Sequence, residues 1–189
     1  MPQHNTNHKP DPQLSEQLQQ VAAYMTEHRL VMTTAESCTA GLIAAHLADV
    51  PGAGALLECA FVVYSPEAKQ QRLGVRAETI ARCNLTSEAV AREMAQGALR
   101  HSRANLAIAN TGVADGADPA IAPGTQCFAW CFAGQDGQPL RLLSETRRFS
   151  GERNSIREQA AAYALMQIPA KHAAVVQQAP QEQDGEARS

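Results

Sequence analysis

The chain has 189 residues, 44% hydrophobic and 19% charged, with a formal net charge of -3. That length fits one domain with tails, the apolar share excludes global disorder, and the mildly acidic balance without a basic block excludes a protein that coats nucleic acid. No apolar run approaches the ~20 residues that span a bilayer, and the N-terminus lacks the basic-then-apolar order of a secretory signal; the expected location is the cytoplasm, away from membranes. Aromatic residues make up only 4%, so Ala, Leu, Val and Ile must build the core. The five cysteines (Cys38, Cys59, Cys83, Cys127, Cys131) are odd in number and form no Cys-x-x-Cys or Cys/His quartet. Reduced thiols and no structural zinc are expected. His4 and His8 lie in a polar, proline-containing tail and read as solvated. With no Walker loop and no Gly-x-Gly-x-x-Gly after a strand, neither cofactor nor metal is expected.

Residues 1–11 read as a disordered lead. Asp11-Pro12 then opens a helix whose Leu14, Leu18, Val21 and Met25 share one face. A short strand over 30–35 feeds a small-residue helix running from Glu36 to about Ala48. Residues 56–64 form a near-continuous apolar run, expected as a buried central strand. Ser65 and Pro66 start the next helix as N-cap and first-turn proline, and Ser87 caps another with Val90, Met94 and Ala98 on its buried face. Strands follow over 105–110, 126–133 and 140–149, the last two joined by a hairpin turn around 135–137. A final helix covers 151–168 and is expected to stop at Pro169, leaving 170–189 as a flexible tail. The order implies an α/β fold: one domain over 12–169, a three-layer α/β/α sandwich around a mixed, mostly buried sheet.

Two segments carry candidate chemistry. Across residues 33–41 a strand passes into a helix through Ser37, Cys38 and Thr39, and a helix start offers unpartnered N–H groups to a phosphate or an oxyanion. The plainer reading is an ordinary N-cap. In Tyr64-Ser-Pro-Glu-Ala-Lys69, a lysine sits near a helix N-terminus, where the dipole lowers its pKa toward that of a general base. The plainer reading there is a solvated lysine.

Glu36-Ser-Cys-Thr-Ala-Gly41, Tyr64-Ser-Pro-Glu-Ala-Lys69 and Thr111-Gly-Val-Ala114 together resemble the CinA C-terminal domain family, also called competence-damage-inducible. Further similarity lies in Ser87–Leu99 and in Phe149-Ser-Gly-Glu-Arg153 with Arg157, Gln159 and Tyr163, so that it covers about 13–168. The family includes bacterial nicotinamide-nucleotide amidohydrolases, which convert nicotinamide mononucleotide to nicotinic acid mononucleotide and ammonia. The resemblance implies Ser37 as nucleophile, Tyr64 and Lys69 as its assistants, and Glu36, Cys38, Thr39, Thr111, Gly112 and Arg153 as substrate-binding residues. It also implies a homo-oligomer, a dimer in the first instance, acting on a small nucleotide. A serine hydroxyl needs a base, and no histidine stands where a triad would put it, which agrees with lysine in that role.

The sequence departs from the family at two places. Ala40-Gly41 stands where two glycines are usual. The third motif continues as Asp115-Gly-Ala-Asp118-Pro in place of a Gly-Pro-x-Gly-Gly run with a following lysine. Two carboxylates facing a phosphate pocket would repel an anionic nucleotide, and Arg153 with Arg157 would attract it. Three readings stay open: a Ser/Lys amidohydrolase, on this substrate or another; a nucleotide-binding or interaction module without turnover; and a nucleophilic Cys38.

Overall fold

The computed structural model describes residues 11–116, 120–134 and 139–177. Asp11 accepts a hydrogen bond from the Gln13 amide (3.0 Å) and Pro12 fills the first position of α1 (Pro12–Glu27), the asymmetry that proline's missing N–H favours. Then follow β1 (Met32–Glu36), α2 (Leu42–Ala48), β2 (Leu57–Val62), α3 (Pro66–Leu73), α4 (Ala77–Cys83), α5 (Glu88–Arg100), β3 (Leu106–Gly112), β4 (Thr125–Phe132), β5 (Arg141–Arg148), α6 (Arg153–Met166) and α7 (Ile168–Gln177).

The five strands form one mixed sheet in the order β2-β1-β3-β4-β5. β1 pairs in parallel with β2 and β3, whereas β4 runs antiparallel to both β3 and β5. Successive strand residues point to opposite faces, and this chain sorts its residues by size accordingly. Leu106, Ile108, Phe128, Trp130 and Phe132 pack with α1, α2 and α6. Ala107, Ala109, Cys127, Ala129 and Cys131 pack with α5. The bulky face supplies most of the buried apolar area; the small face lets α5 approach closely. Gly97 continues that economy, since a Cβ there would lie 2.1 Å from the Leu73 carbonyl oxygen.

The expected three-layer architecture is present, with three local corrections. The apolar run at 56–64 forms β2, an edge strand rather than a central one, and Val62 is 53% exposed. A turn over 37–41 precedes α2, so the helix begins at Leu42 and not at Glu36. Pro169 does not end the ordered chain. It occupies the second position of α7, where a proline removes no needed donor, and the Tyr24 hydroxyl contacts the Pro169 carbonyl (3.4 Å) and His172 Nδ1 (3.0 Å). The lead over 1–10, the turn at 135–137, Asp118 and the tail beyond 177 lie outside the described residues. Among the described residues no helix is long and apolar enough to cross a membrane.

Candidate active site

β1 and β2 are parallel neighbours, yet the chain leaves them toward opposite faces of the sheet. After β1 it enters α2, which packs with α1 and α6; after β2 it enters α3, which packs with α5. Such divergence makes the carboxyl ends of these strands the place where a ligand site is expected in an open α/β sheet. Ser37, directly after β1, and Lys69, on α3, meet there.

Lys69 is 1% exposed and Ser37 8% exposed. The lysine Nζ donates to Ser37 Oγ at 2.9 Å, to the Val63 carbonyl at 2.8 Å and to the Tyr64 carbonyl at 2.9 Å. Three acceptors match the three donors of an ammonium. As a neutral amine, Lys69 keeps two hydrogens on the carbonyls and turns its lone pair to the serine hydroxyl. Burial pulls its pKa down from 10.5 to about 8, so the neutral form is accessible near physiological pH. Desolvation, not the helix dipole expected from the sequence, is the cause. The cysteine next door is in a different state: burial, the largest influence, pushes the Cys38 thiol up, which disfavours a thiolate nucleophile.

The serine turn is fixed from three sides. The Ser37 amide donates to the Asn110 carbonyl (3.0 Å), and the Thr39 amide donates to Asn110 Oδ1 (3.2 Å). Asn110 Nδ2 in turn donates to Gln126 Oε1 (3.0 Å), whose Nε2 reaches Cys38 Sγ (3.3 Å) and the Val113 carbonyl (3.2 Å). Arg157 donates to the carbonyls of Cys38 (3.0 Å) and Thr39 (3.2 Å). Through residues 37–44 every backbone N–H except that of Cys38 meets an acceptor among the described residues. That one amide lies directly beside the serine.

The mouth of α2 is closed by the protein itself. Glu36 is fully buried and its carboxylate accepts from the amides of Gly41 (2.8 Å), Ile43 (3.1 Å) and Ala44 (3.1 Å). The expectation of several open amides at this helix start is therefore narrowed to that of Cys38. Glu36 serves as a cap, not as an open binding group. Ala40 (φ +50°) and Gly41 (φ +96°) both take left-handed backbone to swing the chain round to that carboxylate.

Comparison with known proteins places this arrangement. The CinA C-terminal domain model matches residues 14–171. The chain belongs to the CinA C-terminal domain family. The nicotinamide-nucleotide amidohydrolase PncC of Escherichia coli (strain K12) is 40% identical over 160 residues, covering 84% of this chain and 94% of that protein. The putative competence-damage inducible protein of Symbiobacterium thermophilum is 41% identical over 155 residues, covering 79% of this chain; the match spans only 36% of that longer protein. Among solved structures, a CinA superfamily protein from Klebsiella pneumoniae superposes with a TM-score of 0.78 at 35% identity, over 85% of this chain and 98% of that one. A competence/damage inducible protein from Agrobacterium tumefaciens gives 0.77 at 33% identity, over 86% and 97%.

The other positions singled out by resemblance to CinA proteins divide into two groups. At the rim, Tyr64 is 57% exposed and its hydroxyl accepts from Arg153 Nη2 (3.0 Å), while Arg153 Nη1 pairs with Asp115 (2.5 Å). Tyr64 thus touches Lys69 through its backbone carbonyl, with its phenol engaged elsewhere. The second group is structural. The Thr111 hydroxyl donates to the Leu85 carbonyl (3.0 Å). Gly112 makes room for Gln126, whose Oε1 would lie 2.3 Å from an added Cβ. Thr39 is buried, with its hydroxyl unpartnered. Arg157 braces the serine turn, with three of its five N–H donors committed to protein acceptors. Asn110 and Gln126 had no signal in the sequence beyond being polar residues inside strands.

Proposed function

We propose that the chain is an amidohydrolase that cleaves the carboxamide of nicotinamide mononucleotide, releasing ammonia and nicotinic acid mononucleotide. The observation that carries this reading is the 2.9 Å contact between a buried lysine amine and a serine hydroxyl. Its support from relatives is the name and the 40% identity of the Escherichia coli PncC protein over nearly its whole length. Neutral Lys69 removes the Ser37 proton as Oγ attacks the carboxamide carbon. The oxyanion faces the Cys38 amide. Lys69 then returns its proton to the departing nitrogen, and ammonia leaves. Water, deprotonated by the same amine, attacks the acyl-serine ester, and the serine takes its proton back. Tyr64 assists through its carbonyl, which holds Lys69 in place.

The test is ammonia release from purified protein given nicotinamide mononucleotide, with the variants Ser37→Ala, Lys69→Ala and Cys38→Ala. Loss of about 10³-fold or more in the first two, with the third within a few-fold of wild type, is expected. Binding without ammonia would replace this reading with that of a nucleotide-binding module. The proposal extends to a cytoplasmic protein, in keeping with its five unbridged cysteines, and to a dimer, for which the exposed Val62 on the sheet edge is a candidate contact.

A further inference from the structure

Two arginines, Arg153 and Arg157, act electrostatically on the Cys38 thiol, and so does Asp115. Arg157 commits three of its five N–H donors to the carbonyls of Cys38 and Thr39 and to Asn154 Oδ1, and so is tied to the serine turn. Arg153 is the one at the rim, with half of its side chain exposed, and is the guanidinium positioned to meet an anionic substrate group. Asp115 already holds it at 2.5 Å. A phosphate arriving at Arg153 must displace or tolerate a carboxylate beside it, whereas a substrate without phosphate meets a rim pair that is already neutralised.

We propose that Asp115 is a specificity-determining residue that offsets the advantage of a phosphate, so that the site treats the nucleotide and its unphosphorylated nucleoside, nicotinamide riboside, far more evenly than a rim with Arg153 alone would. This rests on the reading of Ser37 and Lys69 as the hydrolytic pair and concerns the group that lies beyond the reacting amide. A carboxylate about 5 Å from a phosphate dianion in water weakens the complex by about tenfold, and the pair is too exposed for a much larger effect.

The experiment separates the two ideas. Binding of nicotinamide mononucleotide and of nicotinamide riboside is measured by calorimetry at low salt on Ser37→Ala protein, with Asp115 intact, as Asp115→Asn and as Asp115→Ala. Loss of the carboxylate raises the ratio of nucleotide to riboside affinity about tenfold, chiefly by tightening the nucleotide, and adding Arg153→Met cancels the rise. Asp115 is half-exposed, so these variants keep the fold. An unchanged ratio, an equal gain for both ligands, or no binding of either overturns the proposal. Turnover by the protein with Ser37 intact is scored separately; absence of ammonia from both amides, with the binding ratio still shifted, sinks the hydrolytic reading and leaves the role of Asp115 standing.

Discussion

Lys69 Nζ and Ser37 Oγ face each other across 2.9 Å although 32 residues separate them in the chain. The contact is polar and buried; among the described residues no carboxylate pairs with the amine, whose acceptors are the serine hydroxyl and two backbone carbonyls.

Activity should therefore follow the deprotonation of Lys69. Its pKa, brought down to about 8 by burial, leaves a falling share of neutral amine below that pH. We expect kcat/KM for nicotinamide mononucleotide to rise about tenfold per unit from pH 6 and to level off above about pH 8. A profile flat from pH 6 to 9 would contradict Lys69 as the base. Lys69→Arg, which cannot lose its proton in this range, should not restore the rate.

The same shift acts on stability. The unfolded lysine holds its proton to about 10.5 and the folded one only to about 8. Between those values the unfolded chain carries the extra proton, so this group makes the fold more stable as pH rises, by about 3 kcal/mol over the window. Urea unfolding at pH 7 and pH 10 should show that gain in wild type relative to Lys69→Met, which has no such group. Parallel pH dependence in the two proteins would refute it.

Glu36 accepts three amides at the start of α2. Glu36→Ala leaves the buried Ile43 amide and the partly buried Gly41 and Ala44 amides without that partner, and we expect a loss of about 3 kcal/mol, or about 6–12 °C in thermal midpoint. Glu36→Gln, which keeps one accepting oxygen, should lose less. Calorimetric unfolding of both variants decides the order.

Ala40 sits at φ +50°, a backbone state that costs a residue bearing a Cβ about 1–2 kcal/mol. Glycine removes that strain but loses more entropy on folding. The net expectation for Ala40→Gly is a gain of up to about 1 kcal/mol, read as a midpoint higher by about 2–4 °C; a lower midpoint would show that the methyl group packs favourably.

The helices with proline and serine at their starts were legible in the sequence because their signals are local: Ser65 caps α3 and Ser87 caps α5 as expected. The position of β2 at an edge was not, because strand order depends on pairing between distant segments and an apolar run looks the same at the edge as at the centre. Within the site, Ser37 and Lys69 were candidates by type and place, and it was the resemblance to CinA proteins that joined them. The supports gave no such sign. Asn110 reaches Thr39 across 71 residues and Gln126 reaches Cys38 across 88, and nothing near either residue announces a partner. Glu36 was visible, yet its use as a cap depends on the left-handed turn at Ala40 and Gly41 that the sequence disguised as the helix itself.

Because the chain leaves β1 and β2 toward opposite faces, Ser37 and Lys69 belong to crossovers made at different moments of synthesis. A nascent chain that has emerged only as far as Ser37 holds an unremarkable alcohol, and even with α3 in hand it lacks the Asn110 brace delivered by β3. On the proposed hydrolytic reading, reactivity is thus withheld until most of the polypeptide has been built and packed, and a fragment released early by a stalled ribosome or a protease would be chemically inert.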